Sequence, residues 1–154
     1  MESSAGAKGV SKSLKNLLRI ASVLVMIGYG GTARAELVAT VSVKTKPLPK
    51  ERTQYIYTIN NELSSTVEVD GVSFTANQGE NLQEESIPDG WIGHGHNVDQ
   101  PGEQMIYDAP EFKQRLKPGE KATFVFSSDN SKISLRYLII GNELNNRVTI
   151  NGKI

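Results

Sequence analysis

From Glu36 onward the chain alternates between apolar and polar residues, the spacing of half-buried strands rather than of helices. In "ELVATVSVKT", Leu37, Ala39, Val41 and Val43 fall on one face, opposite Thr40, Ser42 and Lys44. "TQYIYTIN" sets Tyr55, Tyr57 and Ile59 together, and "KATFVFSS" sets Ala122, Phe124 and Phe126 together. "KISLRYLII" does the same with Ile133, Leu135, Tyr137 and Ile139, and "RVTI" closes the chain with Val148 and Ile150. In "TVEVDGVSFT" the phase slips: Val67 and Val69 alternate, then Val72 and Phe74 follow across Asp70-Gly71. Either a two-residue hairpin or a bulge in one longer strand produces that slip.

Turn chemistry separates these runs: Lys-Pro-Leu-Pro at 46–49, Asn60-Asn61, Pro88-Asp89-Gly90, Pro101-Gly102, Pro118-Gly119 and the 141–146 link. About seven short strands with such punctuation predict an all-β chain, an antiparallel β-sandwich, with a small barrel as the alternative. The stretch from about 76 to 103 has no strong pattern and reads as a long loop. Loops of that length in a compact domain are usually functional or disordered.

Ahead of the strands, a lysine-bearing start leads into the apolar run Ile20 to Gly31 and then Ala33-Arg34-Ala35. The run is short of the roughly 20 residues that span a bilayer. It reads as a signal peptide over 1–35 with an A-x-A cleavage site, leaving a mature domain of 36–154 and no membrane span after cleavage. Five of the 17 basic residues but only one of the 17 acidic ones lie in 1–35. The mature part therefore carries 12 basic against 16 acidic residues, a net of −4. That acidity, with no basic stripe beyond Lys113-Gln-Arg115-Leu-Lys117, argues against nucleic acid as a partner. The absence of cysteine removes a disulfide framework, thiol chemistry and a lipid-bearing Cys. With no N-x-Ser/Thr sequon, the expected setting is a bacterial periplasm or the medium outside the cell.

Three phrases fall in order at sandwich-like spacing: "YIYTINN" (55–61), "IPDGW" (87–91) and "LKPGEKATFVFSS" (116–128). Over roughly 53–140 the chain resembles the immunoglobulin- or fibronectin-III-like modules of secreted bacterial proteins. The resemblance implies an Ig-like sandwich and a non-catalytic module; it carries no functional residues over. The disulfide and strand-C Trp of antibody domains are missing here.

The patternless stretch holds the sole Trp, Trp91, and both histidines, His94 and His96. His-x-His on an extended chain turns both rings to one side. With Asp99 these residues form a candidate metal set suited to Zn or Cu, which Asp89, Glu103 or Asp108 would have to complete. The later His and Met of a copper-chaperone pattern are absent. Two solvated histidines are the plainer alternative. Trp91, with Tyr107 nearby, is a candidate stacking platform for a sugar ring, or else a plug holding the loop on the sandwich edge. Oxygen-rich "NVDQPGEQ" and "SSDNS" lack the spacing of a calcium loop. No Gly-x-Ser-x-Gly elbow is present, and the adjacent carboxylates Glu84-Glu85 read as solvated.

The sequence thus predicts a secreted, non-catalytic binding or structural β-sandwich without a cofactor, its partner an unidentified protein or carbohydrate. Trp91, His94, His96 and Tyr107 are its candidate ligand contacts. The alternatives are a metal-handling periplasmic protein, a carbohydrate-binding module, and a fibre or assembly subunit pairing through a sheet edge, with "LVATVSVKT" as a strand it could donate.

Overall fold

The computed structural model describes residues 19–21, 35–96, 103–143 and 146–153. Two antiparallel five-stranded sheets face each other. The first runs β1 (Arg19–Ala21), β2 (Ala39–Pro47), β3 (Thr53–Asn61), β8 (Lys121–Ser128) and β5 (Gln83–Ser86). The second runs β10 (Asn146–Lys153), β9 (Arg136–Glu143), β4 (Glu68–Ala76), β7 (Glu103–Asp108) and β6 (Ile92–His96). A 3-10 turn, η1 (Phe112–Gln114), precedes β8. This is the expected sandwich, and the barrel alternative falls away.

The alternating positions are what the two sheets bury against each other. Val41, Val43, Tyr55, Tyr57, Ile59, Phe124 and Phe126 from one sheet meet Val69, Val72, Phe74, Tyr107 and Ile139 from the other. Aromatic rings fill the centre. Phe74 lies 5.3 Å from Tyr57, 5.4 Å from Phe124 and 5.2 Å from Phe126, at tilted or edge-on angles that suit the ring quadrupoles.

Asp70-Gly71 is a bulge and not a hairpin. β4 runs unbroken through it, and its register against β9 shifts between Val69 and Gly71. The extra residue is what keeps Val69 and Val72 both buried in spite of the phase slip. Asn60-Asn61 is likewise not a turn but the end of β3, paired with Ala39 and Thr40. Asn61 is fully buried because its side-chain amide donates to the carbonyls of Val67 (2.9 Å) and Leu116 (2.8 Å). The Pro118-Gly119 signal does form a turn: Glu120 N–H donates to Lys117 O at 2.9 Å, with Gly119 at φ +88°.

The patternless stretch also departs from expectation. It contains β5 on one sheet and β6 on the other, both edge strands. Backbone pairing with β8 and a set of side-chain bonds hold β5, whose four residues are all exposed. The Arg52 guanidinium donates to Gln83 (2.6 Å), and Ser127 donates its hydroxyl proton to Glu85. Glu84 and Glu85 are exposed, as expected, and are hydrogen-bonded too, since Glu84 accepts from Tyr107.

Candidate functional site

The nominated residues that the structure describes lie along β6, β7 and the turn before β6. Pro88-Asp89-Gly90 makes that turn: Trp91 N–H donates to Pro88 O at 3.1 Å, and Gly90 sits at φ +78°. The turn drives the indole inward. Trp91 is 6% exposed, packs edge-on against Phe124 with centroids 5.5 Å apart, and donates its ring N–H to Gln114 O at 3.1 Å. One edge of the indole reaches a groove of about 460 Å³, whose rim carries Asp89, Lys113, Arg115, Glu120 and Lys121. Charges of both signs stand there. Lys113 is paired with Glu111 at 2.8 Å, and the Arg115 guanidinium lies 5.2 Å from the centre of the Phe112 ring.

Tyr107 is 1% exposed on the inner face of β7, opposite Val72. Its hydroxyl donates to Glu84 Oε2 at 2.8 Å, a bond that crosses from one sheet to the other. Burial raises its pKa well above the usual phenol range, and the adjoining Glu84 carboxylate adds to that. Gly93 lies close beside this pair: a Cβ there would stand 3.2 Å from the Tyr107 ring.

His94 is half exposed, and its Nε2 lies 3.0 Å from Asp108 Oδ2 on the outer side of the second sheet. Between Gly93 and His96 the register of β6 against β7 shifts by one residue. That bulge interrupts the alternation on which convergence of His94 and His96 rests. The side chain of His96 and the whole of Asp99 lie outside the described residues. Among the described residues no group of three or more His, Cys, Asp or Glu side chains is placed to hold a metal ion.

Of the nominated residues, the three whose side chains are described, Trp91, Tyr107 and His94, are neighbours in the fold but do not converge on one cavity. Trp91 points into the core at one end, Tyr107 into its middle, and His94 outward. Sequence reasoning missed their partners. Asp108, a metal-ligand candidate in the sequence, stands beside His94, and Glu84, exposed as expected, also accepts from Tyr107. The Gln114 carbonyl that receives Trp91 leaves no trace in side-chain chemistry. A carboxylate facing a tyrosine across two sheets could be found only once strand order was known.

No family model matches the chain. No curated protein matches it in sequence. Among solved structures, an uncharacterized protein from Nocardia farcinica, described as revealing an immunoglobulin-like fold, is similar with a TM-score of 0.50 at 15% identity. The match covers 70% of this chain and 81% of that one. The fold is immunoglobulin-like, as the resemblance implied, and at that identity the likeness carries the fold alone.

Proposed function

We propose that the chain is exported and that its part from Glu36 onward serves as a non-catalytic binding or structural module. The leader pattern of 1–35 supports export. The observation that carries the rest is how the chemically distinctive side chains are used. Trp91 and Tyr107 pack and bond inside the sandwich, and His94 has Asp108 as its partner. Side chains so engaged stiffen a scaffold; contact with a partner then falls to the strand edges and the outer faces of the sheets.

Expression of the full chain in a bacterial secretion host tests this. The expected product lies outside the cytoplasm, with an intact mass lowered by residues 1–35. A full-length cytoplasmic product would overturn export. A second reading has one observation in its favour. The groove beside Trp91 could take a small polar ligand, and its test is a shift in Trp91 emission on titration with soluble sugars. The metal-handling reading keeps His94 and His96 as its residues and predicts saturable quenching of the same emission by Zn²⁺ or Cu²⁺.

A further inference from the structure

Among the described residues the sheets end in four places: at β5, at β6, at β10, and at β2, where three residues of β1 are the outermost layer. Sheet edges invite pairing with other chains, and proteins blunt them with charge, proline, bulges or short length. β5 is four residues long, bulged, and carries Glu84 and Glu85. β6 is bulged and holds Gly93 and Gly95. β10 carries Arg147 and Lys153 with Gly152. β2 is divided. Its second half, Lys44 to Pro47, has two lysines and a proline, all exposed. Its first half, Ala39 to Val43, has no charge, no proline and no bulge.

That unguarded half offers an ordered row of backbone groups. Val38 O accepts from Glu62 N–H and Glu36 O accepts from Thr66 N–H, so even-numbered residues turn toward β3. By alternation Ala39, Val41, Val43 and Thr45 turn their N–H and C=O groups to the open side. Three residues from the leader stretch cover part of that side. Arg19, Ile20 and Ala21 pair antiparallel with Val43, Ser42 and Val41.

We infer that removal of the leader exposes this edge and that a second copy of the chain covers it, β2 pairing antiparallel with β2 about a two-fold axis at Val41. This rests on the export reading above. A two-fold centred there sets Val41 opposite Val41, Ala39 opposite Val43, and Thr40 opposite Ser42. It also sets Lys44 opposite Val38 and Lys46 opposite Glu36, so no lysine meets a lysine. Like charges in register are what normally forbid such an arrangement. The two first sheets then join into one continuous sheet, a closed isologous dimer.

The experiment uses the exported, processed chain. Sedimentation across a concentration series is expected to show reversible dimers. Thr45→Pro removes an edge-facing N–H without touching a bond to β3, and should weaken dimerisation about tenfold through one lost bond in each copy, with the melting temperature of the dilute monomer unchanged. Because the chain has no cysteine, Thr40→Cys and Ser42→Cys chains can be mixed and oxidised. The two-fold register places the new thiols in a non-hydrogen-bonded pair, Cα atoms roughly 4.5 Å apart, within disulfide reach. Cross-linking well above that of either variant alone supports the inference. A chain that stays monomeric overturns it, as do dimers indifferent to Thr45→Pro and refractory to cross-linking. If intact mass shows a retained leader, the export reading falls and Ala21→Pro decides the edge by itself. That variant unseats the covering strand, so dimers in it support the inference and monomers overturn it.

Discussion

Asn61 and Trp91 show how single side chains close this sandwich. The Asn61 amide satisfies two buried carbonyls, of Val67 and Leu116, from separate connections. Asn61→Ala takes one donor from each, leaving Leu116 O with Val69 N–H and Val67 O with the Ser65 hydroxyl, and should cost about 1–3 kcal/mol in urea unfolding for the two lost bonds. Asn61→Asp should cost at least as much, because a carboxylate cannot donate to those oxygens. Trp91→Ala removes the ring against Phe124 and should cost about 3–5 kcal/mol. Trp91→Phe keeps much of the packing but leaves the Gln114 carbonyl unpaired, at about 1–2 kcal/mol. Both are read by circular dichroism, since the sole fluorophore of this kind is lost. In the wild-type chain the Trp91 emission should be blue-shifted and unmoved by Zn²⁺ or Cu²⁺. Quenching that disappears in His94→Ala would instead favour the metal reading.

At the scale of elements, the β2–β3 hairpin contains an avoidable strain. Lys50 and Glu51 both sit at φ +61°, a region that costs a side-chain-bearing residue about 1–2 kcal/mol. Leu48 N–H closes the loop on Arg52 O at 2.8 Å. Replacing Lys50-Glu51 with Asn-Gly, the pair suited to consecutive positive φ, should raise stability by about 1–2 kcal/mol, measured as a higher urea midpoint at unchanged slope. Strands such as β2, β3 and β8 were legible in the sequence because each buries every second residue. β5 was not, because all of its residues are exposed and what holds it, the ladder to β8 and side-chain bonds to Arg52, Ser127 and Tyr107, comes from elsewhere in the chain. β6 hides its phase in a bulge among glycines. Val67, Val69, Val72 and Phe74 were legible as core residues; the bulge was not separable from a hairpin, because β9, the strand that reveals it, lies more than sixty residues downstream. The candidate residues follow the same rule: Trp91, His94 and Tyr107 stand out as residue types in the sequence, whereas what lies against them, the Gln114 carbonyl, Asp108 and Glu84, depends on strand order.

For the whole molecule, the tyrosines set a limit on the alkaline side. Burial is the leading cause that raises the pKa of Tyr55, Tyr57, Tyr107 and Tyr137, most strongly for Tyr57 and Tyr107. In the unfolded chain each would ionise near the ordinary value of about 10. The native state therefore holds protons that the unfolded state releases above that pH, so unfolding is favoured as pH rises. The contribution of these neutral phenols is fully present below pH about 10 and is lost above it. Tyr57 and Tyr107 line the same aromatic centre, with Phe74 5.3 Å and 6.3 Å away, so both resist ionisation while the two sheets stay packed. Absorbance at the phenolate band should accordingly lag behind that of free tyrosine and then rise together with loss of strand signal. Tyr107→Phe should move that transition to higher pH, since one ionisable phenol is gone, while at neutral pH it leaves Glu84 without its cross-sheet donor and lowers stability by about 1–2 kcal/mol. A phenolate titration complete near pH 10 with the strand signal intact would show that these rings are open to water and would overturn the packed aromatic centre.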